Sequence, residues 1–190
     1  MGQVIICAMN DFYTGTGDDG YTGLLGDERV PKHGQRPETL GTVDEATAAI
    51  GLARATCQTE ETGSILIQVQ RDLYNLMAEV AATPKNAARF RVIDDQQVDW
   101  LEAQIRDLSD KVKPPEEFIL PGDSQAGAAL AMARTIVRRA ERRVAQLMHN
   151  QEVDNKQLLR YLNRLSSLLF ALELLENQAA GKTHTTLAKA

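Results

Sequence analysis

The chain has 190 residues, with 21 Lys and Arg against 26 Asp and Glu, a formal net charge of −5, and 43% apolar and 25% charged residues. That is the composition of one globular domain of ordinary size, and its acidity excludes general nucleic-acid binding, which needs a basic surface against phosphates. No apolar stretch reaches the ~20 residues of a membrane-spanning helix. Cys7 and Cys57 form neither a disulfide framework nor a metal pair, so a reduced, cytoplasmic protein is expected. The N-terminus has no secretory pattern, and Ile6 breaks the myristoylation motif that Met1-Gly2 begins.

Residues 1–12 read as an N-terminal arm, with 3–8 either a short strand or an apolar segment packed on the body. Residues 13–41 are rich in Gly, Asp and Thr and read as extended and turn-rich; eight of the 13 glycines fall in residues 1–41. From Thr42 the apolar residues Val43, Ala46, Ala49, Ile50 and Ala53 recur at helical spacing. A second helix is predicted from about Glu61 to Ala82, before Pro84. A third runs from about Asp94 to Val112 and stops at Pro114-Pro115. The fourth starts after Pro121-Gly122, capped by Asp123 or Ser124, and reaches about Met148. The fifth spans about Asn155 to Asn177 on a stripe of leucines, and residues 178–190 read as a frayed tail. The expectation is a single all-α domain over residues 1–190: a five-helix antiparallel bundle with an extended, glycine-rich N-terminal segment.

Gly15, Gly17 and Gly20 match a dinucleotide-binding fingerprint formally, but no helix opens within the motif and no βαβ unit surrounds it, so that reading is rejected. The chemistry of the loop survives the rejection. Glycines let backbone N–H groups close on phosphate oxygens, and Thr14, Thr16 and Thr22 add hydroxyls; an exposed turn region explains the composition equally well. Gly181-Lys182-Thr183 resembles the end of a phosphate loop, but Glu176 stands where its first glycine belongs.

Arg134, Arg138, Arg139, Arg142 and Arg143 cluster on the fourth helix, three of them four residues apart and so stacked on one face. A solvated face is the ordinary explanation of such a row. A polyphosphate is the alternative, because its spread charge suits planar, multidentate donors. Glu141 stands close enough in sequence to brace the row. Asp44 and Glu45 open the first helix, where acids complement its dipole; alternatively Asp44 pairs with one of the arginines and fixes its rotamer. Phe118 reads most simply as core packing, and the scattered His33, His149 and His184 suggest no zinc or haem site.

Taken in order, the segments Tyr-Thr-x-Thr-Gly-Asp-x-Gly at 13–20, Gly-Asp-Glu-Arg-Val-Pro-Lys at 26–32, Gly-Thr-Val-Asp-Glu at 41–45, Phe-Ile-Leu-Pro-Gly at 118–122, Ala-Arg-Thr-Ile-Val-Arg-Arg-Ala-Glu-Arg-Arg at 133–143 and Tyr-Leu-Asn-Arg-Leu-Ser at 161–166 resemble the PduO-type ATP:cob(I)alamin adenosyltransferases. The resemblance runs from Tyr13 to about Asn177. It implies a homotrimer with active sites at subunit interfaces, transferring the 5′-deoxyadenosyl group of ATP to cobalamin and releasing triphosphate. By resemblance, Thr14, Gly15, Thr16, Gly17, Thr22, Gly23 and Lys32 of one subunit hold the triphosphate with Mg²⁺. Arg138, Arg139, Glu141, Arg142 and Asn163 of a neighbour complete the nucleotide site, with Asp44 orienting Arg138. Phe118 is implied beneath the corrin, where it displaces the lower axial ligand, with Arg134 near the same place. A reductase and an adenosylcobalamin-dependent enzyme are the implied partners.

Three positions depart from the family pattern: Gly15 for a usual Lys or Arg, Asp123 in a usual Gly-Gly turn, and Ser167 for a usual Asp. They motivate two alternatives to an active enzyme: a catalytically impaired cobalamin or nucleotide carrier, and a helical-bundle interaction protein.

Overall fold

The structure, a computed structural model, describes residues 12–182 and 185–189; the segment 3–8 lies outside them. Five helices form the body: α1 (Gln35–Thr56), α2 (Glu60–Ala81), α3 (Asp95–Ser109), α4 (Gln125–His149) and α5 (Lys156–Ala179). A two-stranded antiparallel hairpin, β1 (Tyr21–Gly23) with β2 (Arg29–Pro31), precedes them, with Thr22 opposite Val30. Four helices carry side-chain caps of the kind their sequences announce. Thr59, Ser124 and Asn155 each accept a first-turn N–H, and Asp94 with Gln97 forms a capping box at α3. Among the described residues, no helix is long and apolar enough to cross a membrane.

The first helix begins seven residues before the expected Thr42. Pro37 and Gly41 disguise its start. Pro37 is the third helical residue, where its missing N–H is not needed, and Gly41 has open space around it. Buried Thr39 and Thr42 satisfy their hydroxyls on the carbonyls of Gln35 and Glu38, both at 2.8 Å, so a polar stretch remains helical.

α4 lies between α1 and α5, while α2 packs on α1 and α3 on α5. Its buried stripe is small: Ala126, Ala129, Ala133 and Ala140 alternate with Leu130, Val137, Val144 and Leu147. At Gly127 a Cβ would stand 2.1 Å from Asn177 Oδ1, so the start of α4 and the end of α5 meet only because that side chain is absent. Ile50 on α1 and Leu66, Leu73 and Leu76 on α2 fill one half of the core. Leu158, Leu162, Leu165, Leu169 and Leu172 on α5 fill the other.

Buried polar groups tie the helix ends together. Arg36 donates to the carbonyls of Val80 (2.7 Å), Ala82 (2.9 Å) and Glu152 (2.7 Å), joining the start of α1 to the end of α2 and the α4–α5 turn. A cation is favoured there, at the negative end of α2. Glu176, fully buried, accepts from the backbone of Gln58 (2.7 Å) and Thr59 (3.3 Å) and from the Thr59 hydroxyl (2.8 Å). Replacing Arg36 with Ala leaves three carbonyls without their donor, so Arg36→Ala is expected to destabilise the fold by about 3 kcal/mol. Urea midpoints measure this; an unchanged midpoint would show that water replaces the guanidinium without loss.

Candidate functional site

The N-terminal loop is held as one piece with the hairpin. Arg29 donates to both Asp19 carboxylate oxygens (2.9 and 2.8 Å) and to the Thr16 carbonyl (2.8 Å), and lies over the Tyr21 ring. The Arg29 hydrogen bonds hold the Asp19 carboxyl below its ordinary range. Gly15 and Gly20 adopt the left-handed conformation at φ 68° and 82°, which lets the chain fold back twice within six residues. Thr14 and Thr16 share a hydroxyl–hydroxyl bond of 2.8 Å. Lys32, at the end of the hairpin, reaches beneath this loop: a Cβ on Gly17 would stand 2.7 Å from its Nζ. Among the described residues Lys32 has no carboxylate partner, so its charge remains available. Thr22 and Gly23 lie on β1, and Gly23 faces open space.

The hairpin is anchored on α2. Leu25 pairs with Ala82, and its backbone bonds to the carbonyl of Ala81 at 2.8 Å. Asn86 donates to the Leu25 carbonyl at 3.1 Å.

Arg138, Arg139 and Arg142 stand exposed on α4, with Arg134 and Arg143 partly buried at either end of the row. Its partners differ from the expected ones. Glu45, not Asp44, reaches the row, pairing with Arg139, and Glu38 pairs with Arg143 at 3.2 Å. Asp44 and Arg138 are exposed and have no ion-pair partner among the described residues. The helix geometry explains this: one residue turns the side chain by about 100°, so Glu45 rather than Asp44 meets Arg139 within the chain. Among the described residues Glu141 pairs with no arginine and instead accepts from Asn163 of α5 at 2.9 Å. Asn163 in turn accepts from Arg164, which pairs with Glu102 of α3 at 3.0 Å, so one polar chain crosses three helices. Arg142 donates to the Arg138 carbonyl at 2.9 Å. Ser167, one turn beyond Asn163, is exposed and makes no side-chain hydrogen bond among the described residues.

Within one chain the two halves stay apart. No hydrogen bond or ion pair joins residues 12–32 to the α4 arginines among the described residues.

Phe118 is not core packing: its ring is 88% exposed. Its loop is backed by the C-terminal segment, which is docked rather than frayed. Leu120 N–H bonds to the Thr186 carbonyl (2.8 Å), Ala188 N–H to the Phe118 carbonyl (2.7 Å), and Ile119 faces Leu187 in an antiparallel bridge. Asp123 secures the join, accepting from the Thr186 N–H (3.0 Å) and hydroxyl (2.6 Å), which lowers its carboxyl from the ordinary value. Strand addition of this kind depends on backbone partners and leaves little trace in composition.

Beside Phe118 opens a cavity of about 440 Å³ between the loop, Arg134 and Phe170. Arg134 lies 5.8 Å from the Phe170 ring centre. Behind it, Glu173 is 1% exposed, and burial pushes its carboxyl up to about 7 against the pull of Arg134. Phe170 and Glu173 escaped the sequence reading. Glu173 could have been found, since it stands beside Leu169 and Leu172 where the helical period calls for an apolar residue. A carboxyl ordinarily at 4.5 and raised to about 7 costs no stability below 4.5 and roughly 3 kcal/mol above 7, because only the charged form is penalised. Glu173→Gln is therefore expected to match the parent in urea midpoint at pH 4 and to exceed it at pH 8. Equal midpoints at both would show that Glu173 does not titrate in this window.

Comparison with known proteins gives the family. Residues 12–176 match the family model described as cobalamin adenosyltransferase. The chain is 39% identical over 170 residues to the corrinoid adenosyltransferase PduO of Salmonella typhimurium, covering 88% of this chain but only about half the length of that relative. It is 38% identical over 173 residues to the corrinoid adenosyltransferase of Bacillus subtilis, covering 89% of this chain and 88% of that one. A variant PduO-type ATP:corrinoid adenosyltransferase from Lactobacillus reuteri, solved complexed with cobalamin and ATP, superposes with a TM-score of 0.86 at 31% identity, over 95% of this chain and 100% of the other. The chain belongs to the cobalamin adenosyltransferase family.

Proposed function

We propose that this protein transfers the 5′-deoxyadenosyl group of ATP to the cobalt of cob(I)alamin, forming adenosylcobalamin and releasing triphosphate. The observation that carries the reading is the Lys32 ammonium beneath the Thr14–Gly17 loop, without a carboxylate partner among the described residues, in a chain that also presents exposed Arg138, Arg139 and Arg142. Cobalt(I) brings its own electron pair. The cobalt–carbon bond forms as the C5′–oxygen bond breaks, and the triphosphate leaves with that bond's electrons. The protein supplies no nucleophile and needs no triad. Its task is to hold the reacting atoms in line and to neutralise charge gathering on the leaving group. Lys32, the loop N–H groups and Arg138, Arg139 and Arg142 are suited to the second part. Mg²⁺ enters as part of the nucleotide, since the described residues gather no cluster of three metal-ligating side chains.

The exposed Phe118 and its cavity receive the corrin in this reading. An apolar ring there excludes water from the lower face of the cobalt, which favours reduction and keeps the nucleophile free. A reducing, cytoplasmic setting follows, with a reductase to supply cobalt(I) and an adenosylcobalamin-dependent enzyme to accept the product.

We further propose a homotrimer, with the loop of one subunit facing the arginines of the next. Its support is the separation of the two halves within one chain, where Arg138 and Asp44 have no ion-pair partner among the described residues. Light scattering is expected to give three times 20.9 kDa. Lys32→Ala and Arg138→Ala are each expected to lose most activity. Mixed after subunit exchange, they should recover about a quarter of the parent rate, because random assembly restores that share of intact interfaces. No recovery in verified mixed oligomers would place both residues in one subunit's site.

Gly15 and Ser167 favour the second reading, an impaired carrier, since each replaces a charge near the nucleotide. Incubation with ATP, Mg²⁺ and chemically reduced cobalamin decides between them through the corrin absorption spectrum. Adenosylcobalamin above the uncatalysed control supports the enzyme; nucleotide and cobalamin binding without turnover supports the carrier. Binding of neither would leave a helical interaction protein.

A further inference from the structure

Two buried side-chain polar atoms lack a hydrogen-bond partner among the described residues: Arg134 Nε and Glu173 Oε1. Arg134 lines the Phe118 cavity, and Glu173 feels its charge. The other buried carboxylates of the core are satisfied. Asp72 accepts from Tyr161 and Gln68, Glu79 from Arg91 and Asn155, and Glu176 from the α1–α2 turn. Glu173 alone stands in the apolar stripe of α5 with an oxygen left over. Leaving a buried donor and a buried acceptor unmade within reach of each other's charge is costly unless the pair has a second arrangement in which they meet.

Resting on the reading that the cavity receives the corrin, we infer that Glu173 is a positioning residue for Arg134: ionised, it draws the guanidinium back to its own carboxylate and off the cavity; protonated, it leaves it over the Phe170 ring at the cavity, where it stands here. Arg134 is the member that reaches the cavity, which it lines and Glu173 does not, while the Glu173 side chain is enclosed. The two interact through charge without a direct ion pair in the present arrangement. Other charge reaching Glu173 comes from Asp123, in the turn before α4, which opposes its ionisation and is itself tied to Thr186. The carboxyl changes state near pH 7, so the arrangement of the cavity wall follows proton activity there. A retracted Arg134 leaves an apolar cavity beside Phe118 and Phe170; a released one brings a hydrated cation into it, at the expense of an apolar corrin face.

The test uses the full-length protein and its Glu173→Gln variant, with Michaelis constants for reduced cobalamin and for ATP measured from pH 6 to pH 8. The amide introduced by E173Q carries no charge at any pH and so stands in for the protonated acid. The expected result is a corrinoid KM about tenfold higher in E173Q than in the parent at pH 8, converging toward pH 6, with the ATP KM unchanged. The fraction of cob(II)alamin bound without an axial ligand, read from its absorption spectrum, should fall in parallel. In an Arg134→Gln background the Glu173→Gln change should have no further effect, which a merely structural role would not produce. Parallel corrinoid profiles for parent and E173Q overturn the inference. Phe118→Ala separates the two levels: a raised corrinoid KM in F118A with E173Q tracking the parent overturns the role of Glu173 alone. An unchanged corrinoid KM in F118A overturns the corrin reading of the cavity and the inference with it.

Discussion

The structure depends on α4 being the shared wall of two helices while carrying five arginines. Only a helix whose buried face is built from alanine, glycine and a few branched residues can approach α1 and α5 closely on both flanks. That leaves one exposed face, and every cation of the helix must stand on it or at its border. The row Arg138, Arg139 and Arg142 is thus fixed in direction by core packing, and acidic residues of α1 and polar residues of α5 border it. A larger residue at Gly127 or Ala133 would push the helices apart and tilt the row.

The second half of the site is fixed at one end of the bundle. The hairpin hangs from Ala81 and Ala82, the residues that close α2, and Arg36 secures the carbonyls at the same place. Glycine-rich loop and core are therefore joined through a few backbone bonds and one buried cation. Such a joint holds the position of Lys32 beneath Gly17. The glycines of the N-terminal segment serve this arrangement at two points, Gly15 and Gly20, where the left-handed conformation is used.

Helices α2, α3, α4 and α5 were legible to within a few residues, because periodicity and caps such as Ser124 and Asn155 are local signals. The start of α1 was not, since Pro37 and Gly41 read as turn residues until buried Thr39 and Thr42 show the segment facing the core. Asn163 and Glu141 were both picked out, but their bond to each other depends on how α4 and α5 pair. The docking of residues 185–189 on the Phe118 loop was invisible, because backbone pairing to a small polar tail has no periodic signature.

By itself the sequence determined the five amphipathic helices, the arginine row and the glycine loop, since each follows from residue type and spacing within one segment. Only the tertiary structure decided that Glu45 rather than Asp44 meets the row, that Phe118 is exposed, and that Glu173 stands enclosed behind Arg134. Those outcomes depend on the rotation of one helix against another and on burial, which sets whether a carboxyl is an ordinary acid or one that titrates near neutrality.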